Sequence, residues 1–90
     1  MEQLKTIKEL INQGDVAEAI RQLDEYLITD STDRDEAFYL LGNAYRKQGN
    51  WQLALNNYQY AIDLNPDSPA REAYRMATVS YTHLRAHETG

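Results

Sequence analysis

Cysteine is missing from this chain, so neither a disulfide framework nor a cysteine-based zinc site can be built. Histidine occurs only at His83 and His87, so no nucleophile–histidine pair can be assembled from the residues before them. Proline is confined to Pro66 and Pro69, which leaves the stretch from Met1 to Asn65 free of helix-breaking rings. Glycine is scarce and isolated (Gly14, Gly42, Gly49 and Gly90), so no glycine-rich loop can cradle a phosphate. No apolar run reaches signal-peptide or transmembrane length, and a cytoplasmic protein without membrane association is expected. Positive charge is in deficit: 9 Lys and Arg face 14 Asp and Glu, a net charge of −5, which argues against nucleic-acid binding.

What remains is a 90-residue chain, enough for one small domain, with 42% apolar residues and seven tyrosines. Tyrosine joins an apolar ring to a polar tip and suits half-buried helix interfaces. Leu4, Ile7, Leu10 and Ile11 form an apolar stripe at helical spacing, ended by Gly14, which accepts the left-handed conformation beyond a helix. Asp15 starts the next helix, in a capping arrangement with Glu18, and Val16, Ala19, Ile20, Leu23 and Leu27 make its stripe. The polar run TDSTDRD breaks the chain and offers a second capping pair, Asp33 with Glu36. Phe38, Leu41, Ala44 and Tyr45 mark a third helix, closed by Gly49. Asn50 caps a fourth, carrying Trp51, Ala54, Leu55, Tyr58, Ala61 and Ile62. Asn65-Pro66 ends it, and Ser68-Pro69 opens a fifth, on which Ala70, Ala73, Tyr74, Met76 and Ala77 could pack. The expected helices are therefore near 2–13, 15–29, 34–48 and 51–64, with a fifth from about 69.

The two halves repeat. Gly14 and Gly49 lie 35 apart, as do Ala19 and Ala54, Leu23 and Tyr58, and Tyr26 and Ala61. One helix pair cannot bury its own apolar face, whereas stacked pairs share a continuous core.

The second unit resembles the tetratricopeptide repeat: Phe38-x2-Leu41-Gly42-x2-Tyr45, then Ala54-x3-Tyr58, Ala61 and Pro66 fall in that family's order. The resemblance implies an all-α fragment of a right-handed α-solenoid. Its antiparallel helix-turn-helix repeats cover about 2–34 and 35–68, and a capping or truncated third-repeat helix follows from 69, the domain spanning 1–78. Repeat 1 is divergent, with Ile7 in place of the small glycine and Ser31 in place of the closing proline. It also implies that first helices line a concave groove. Lys8, Asn12, Tyr39, Asn43, Arg46 and Lys47, with Arg71 and Arg75 on the fifth helix, are then the candidate peptide-binding residues. The set is basic within an acidic chain, which favours acidic or C-terminal-carboxylate peptides. The competing view is that these are ordinary solvated charges. The two-lysine, two-asparagine carboxylate clamp of some relatives does not carry over, because Leu4, Lys8 and Leu40 occupy its positions.

A turn glycine for a third repeat is due near 83–85, where His83, Leu84 and Arg85 stand. Val79 to Thr89, VSYTHLRAHET, resembles the in-frame translation of a transposase sequencing adapter, so residues 79–90 are expected to be a non-native tail on an interrupted sequence. His83 and His87 share a helix face, but two ligands make a weak zinc site, and neither H-E-x-x-H nor H-x-x-E-H is present. No metal, cofactor or catalytic residue is expected. The function expected is a protein-interaction adaptor. Its alternative is a structural subunit that pairs through an exposed repeat end with a second copy or another subunit.

Overall fold

The computed structural model describes residues 2–29 and 32–89, with the side chains of 3–29 and 32–80. It contains α1 (Glu2–Gln13), α2 (Val16–Thr29), α3 (Arg34–Lys47), α4 (Trp51–Leu64) and α5 (Ala70–Thr89), and no strand among the described residues. The first four helices begin and end, and α5 begins, within about one residue of the expected bounds, the scatter normal at frayed ends.

The turn inside each pair is built the same way twice. Gly14 (φ 94°) and Gly49 (φ 81°) take the left-handed conformation that side chains resist. The Asp15 N–H donates to Leu10 O and the Asn50 N–H to Tyr45 O, both at 2.9 Å. One residue earlier, the Gly14 N–H donates to Ile11 O and the Gly49 N–H to Arg46 O. This is the Schellman pattern, and all its members recur at the 35-residue offset.

Two clusters make one continuous core. Leu4, Ile7 and Ile11 of α1 meet Ala19, Leu23 and Tyr26 of α2 and Ala37, Leu40, Leu41 and Ala44 of α3. Ala54, Tyr58 and Ala61 of α4 meet Ala70, Ala73 and Ala77 of α5, with Phe38, Tyr39 and Tyr45 bridging both groups. Gly42 lies at the α3–α4 crossing, where an added Cβ would collide with Cδ1 and Cε1 of the Tyr58 ring.

The helices form two layers. α1 touches α3 and α3 touches α5, whereas no described Cα of α2 comes within 8 Å of one of α4. The stack is therefore tighter on the α1–α3–α5 side, and that side is the inside of its curve.

Several local expectations need correction. Glu18 does not reach back to Asp15: its carboxylate accepts from Arg21 Nη2 at 2.6 Å and from Gln22 Nε2, while the Asp15 N–H is used by the Schellman turn. Asp33 precedes α3 in a left-handed conformation (φ 50°) and makes no side-chain cap. Met76 does not pack on the second pair and is 57% exposed. Tyr26 and Leu40, outside the expected stripes, are buried. Asn50 does cap α4, its Oδ1 accepting from the Leu53 N–H at 3.3 Å. The backbone of α5 is helical through Thr89, while the expectations for the side chains of His83 and His87 lie outside the described residues.

Candidate functional site

The inner face is built along α3. Glu36, Tyr39, Asn43 and Lys47 follow one another at three- and four-residue steps, which places them in one row on the helix surface. α1 lies beside this row and adds Lys8 and Asn12. A cleft of about 110 Å³ is lined by Lys8, Ile11, Asn12, Leu40, Asn43, Arg46 and Lys47. Ile11 and Leu40 are buried and form its floor, and the other five side chains are half-buried or exposed around it. An adjoining cleft of about 310 Å³, also lined by Lys8, adds Asp35, Glu36, Tyr39, Ser68 and Pro69.

Beneath these clefts lies Tyr58. Its ring is fully buried, 6.1 Å from that of Tyr39, and its hydroxyl donates to Asn43 Oδ1 at 2.5 Å. Burial pushes the Tyr58 phenol up to about 12, with Arg46 pulling it down and Tyr39 adding to the rise. The phenol therefore stays a proton donor at neutral pH. That bond orients the Asn43 carboxamide, so its NH2 is the part left for a ligand. Among the described residues, Lys8, Arg46 and Lys47 make no ion pair. The cleft thus offers three cations without ion pairs among the described residues and two amides, a set able to hold carboxylates and peptide carbonyls.

Of the eight residues expected from sequence, Lys8, Asn12, Asn43, Arg46 and Lys47 surround one cleft, and Tyr39 lines the next. Arg71 and Arg75 do not join them. Both line a cleft of about 510 Å³ with Pro66, Asp67, Ser68, Pro69 and Glu72, and Arg75 faces Glu72 at 3.6 Å. Leu4 and Leu40, at clamp positions, are core residues. From sequence, Asp35 and Glu36, with Asp33, read as helix-start acids in preference to a cation site, although the Glu36–Tyr39–Asn43 spacing marks them as neighbours of the groove.

The described residues contain no group of three or more His, Cys, Asp or Glu that could hold a metal, and no described helix is long and apolar enough to cross a membrane.

The profile of the tetratricopeptide repeat matches residues 35–68. The chain is 41% identical over 61 residues to the photosystem I assembly protein Ycf3 of Synechococcus sp. (strain CC9902), an alignment covering 66% of this chain and 35% of that protein. It is 36% identical over 61 residues to the Ycf3 of Prochlorococcus marinus (strain MIT 9303), with the same coverage. The chain spans about a third of the length of these curated relatives. The solution NMR structure of Bacteroides fragilis protein BF1650 superposes with a TM-score of 0.87 at 60% identity, covering 92% of this chain and 84% of that one.

Proposed function

We propose that this chain, which belongs to the tetratricopeptide-repeat family, is a protein-interaction adaptor that holds an extended segment of a partner across α1 and α3. Membership points to a non-catalytic module that binds proteins. The curated relatives are named for photosystem I assembly, and holding a protein partner during assembly is the kind of work carried over here, without the partner's identity. The observation that carries the peptide reading is the gathering of Lys8, Asn12, Asn43, Arg46 and Lys47 around one cleft in a chain of net charge −5. Binding is expected to use Arg46 and Lys47 for carboxylates and the Asn43 NH2 for backbone carbonyls. Replacing Arg46 and Lys47 together by glutamate tests it. Helical content should hold, with melting only slightly lowered, because exposed charges contribute little to stability. Affinity for an acidic peptide, and its salt dependence, should fall. Equal binding by wild type and variant at low salt would remove the basic cleft from the reading.

A second reading, self-association, has its own observation. Met76 and Val79 are 57% and 66% exposed on α5. With Arg75 and Ser80 they line a cleft of about 310 Å³. Sedimentation separates the two: a monomer at micromolar concentration favours the adaptor, and a tight dimer with no peptide affinity favours pairing.

The segment from Val79 is proposed to take no part in either function beyond the Val79 and Ser80 side chains at that cleft, in keeping with its likeness to a translated adapter. Ala77 is the last buried residue of α5 among those described. Ending the chain after Ala77 should leave the circular dichroism and melting of the first four helices unchanged. Unfolding on truncation would make the tail part of the domain.

A further inference from the structure

We infer that the groove is electrically polarised along α3 and selects a mixed-charge segment, cationic at one end and acidic at the other, over a uniformly acidic one. This inference rests on the reading that a peptide lies across α1 and α3, and it replaces "acidic" with a patterned partner.

The two clefts supply the poles. Asp35 and Glu36 stand at the first turn of α3 and line the larger cleft. Arg46 and Lys47 stand at its last turn and line the smaller one. Lys8 lines both. None of Glu36, Lys8, Arg46 and Lys47 is committed to an ion pair among the described residues. Asp35 is held in place by Asn65, whose Nδ2 donates to Asp35 Oδ2 at 3.0 Å. That fixes one carboxylate at the acidic end without neutralising it. Arginine, lysine and acids at these helix ends also suit the macrodipole, but a full side-chain charge outweighs the roughly half charge of a helix terminus. The field above the groove therefore takes the sign of the side chains: negative near Glu36, positive near Lys47.

The separation of the poles sets the pattern. Glu36 and Lys47 are eleven residues apart on α3, or about 16 Å at ~1.5 Å per residue. An extended chain advances ~3.3 Å per residue, so opposite charges about five residues apart would meet both poles. Between them, the Asn43 NH2, oriented by the Tyr58 hydroxyl, faces the peptide backbone whatever its sequence. A wholly acidic segment would satisfy Arg46 and Lys47 and be repelled by Asp35 and Glu36.

Four fluorescent peptides of one length test this by anisotropy at low salt. They are one with lysines at one end and glutamates at the other five residues on, one all-acidic, one all-basic and one neutral. Wild type should prefer the mixed-charge peptide over the all-acidic one by on the order of fivefold. Glu36→Lys, at an exposed position outside the Asp35–Asn65 contact, should shift preference toward the all-acidic peptide. R46E with K47E should shift it toward the all-basic one. Equal or tighter binding of the all-acidic peptide by wild type overturns the polarity and leaves the peptide groove standing. Failure of all four peptides to bind overturns both. If a variant does not fold, by circular dichroism, the wild-type series alone decides.

Discussion

The two repeats solve one packing problem with different residues. At the inner crossing of repeat 2, Gly42 makes room for the whole ring of Tyr58. At the same two positions repeat 1 has Ile7 and Leu23, both fully buried. A nothing-plus-large pair and a medium-plus-medium pair fill equivalent space, so the repeat conserves volume across a crossing rather than residue type. The difference has a consequence for function. Tyrosine brings a hydroxyl that reaches Asn43, whereas Leu23 can offer none to the inner face of α1. Repeat 2 thus carries both the tighter crossing and the oriented amide of the groove.

The largest expected effect breaks this comparison at Gly42. Gly42→Leu forces a branched side chain into the Tyr58 ring and should cost roughly 3 kcal/mol or more, at the upper end for overpacking. In a domain of this size that lowers the melting temperature by ten degrees or more, at about 4–8 °C per kcal/mol. The double variant Gly42→Ile with Tyr58→Leu installs the pair of repeat 1 in repeat 2. It should recover much of the stability lost by Gly42→Ile alone, a coupling that a double-mutant cycle measures. If Gly42→Leu melts like wild type, the repeat register is wrong. If the double variant is no better than the single, the two crossings are not equivalent.

This register was legible because punctuation and periodicity agree. Gly14, Gly49 and Asn65-Pro66 stop helices for backbone reasons that no neighbour can override. The missed core residues show what one stripe cannot report. Leu40 is buried because α1, α2 and α4 all pack on α3, so its apolar face is wider than a single seam. Tyr26 is buried with its hydroxyl satisfied by Thr32 O at 2.9 Å, a partner six residues on that no helical period reveals. Its 35-residue match to Ala61 was the available signal. The two expected acid capping pairs fail for local reasons: the Schellman turn takes the Asp15 amide, and Asp33, in a left-handed conformation, makes no side-chain cap to α3. The basic side of the groove could be read from one helix row. Its acidic side lies in the same row, at Glu36, and is hidden there because helix-start acids have a sufficient local explanation.

An intermediate effect isolates the hydroxyl. The buried Tyr58 phenol is raised from an ordinary value near 10 to about 12. A group raised in the folded state contributes stability that is intact below its unfolded value. It is lost as pH rises through the folded value, because the unfolded chain ionises first. Folding should therefore weaken between pH 10 and 12, by up to roughly 2–3 kcal/mol from this group at ~1.4 kcal/mol per unit. Tyr58→Phe should remove most of that alkaline loss, at the cost of about 1 kcal/mol near neutrality for the hydrogen bond to Asn43. Leu23 gives repeat 1 no such term. Urea unfolding at pH 7 and pH 11 measures both. An unchanged alkaline slope in the phenylalanine variant would mean that Tyr58 is not the group responsible.

The smallest effects compare how the chain starts two inner helices, α3 and α5. Asp33 and Ser68 stand at equivalent places before them, 35 residues apart. Ser68 is buried and its Oγ accepts from the Ala70 N–H at 3.1 Å, so Ser68→Ala should cost about 1 kcal/mol, as for a lost cap. Asp33 makes no such bond and sits at φ 50°. Asp33→Gly relieves left-handed strain, but it frees the unfolded chain and removes a negative charge favourable at a helix start. These contributions are each of order 0.5–1 kcal/mol and oppose one another. The net change should be within about 0.5 kcal/mol of zero, visible only as a small shift of urea midpoint at constant slope. A loss of about 1 kcal/mol or more would show that the Asp33 carboxylate caps α3 in solution. The two helix starts would then be alike.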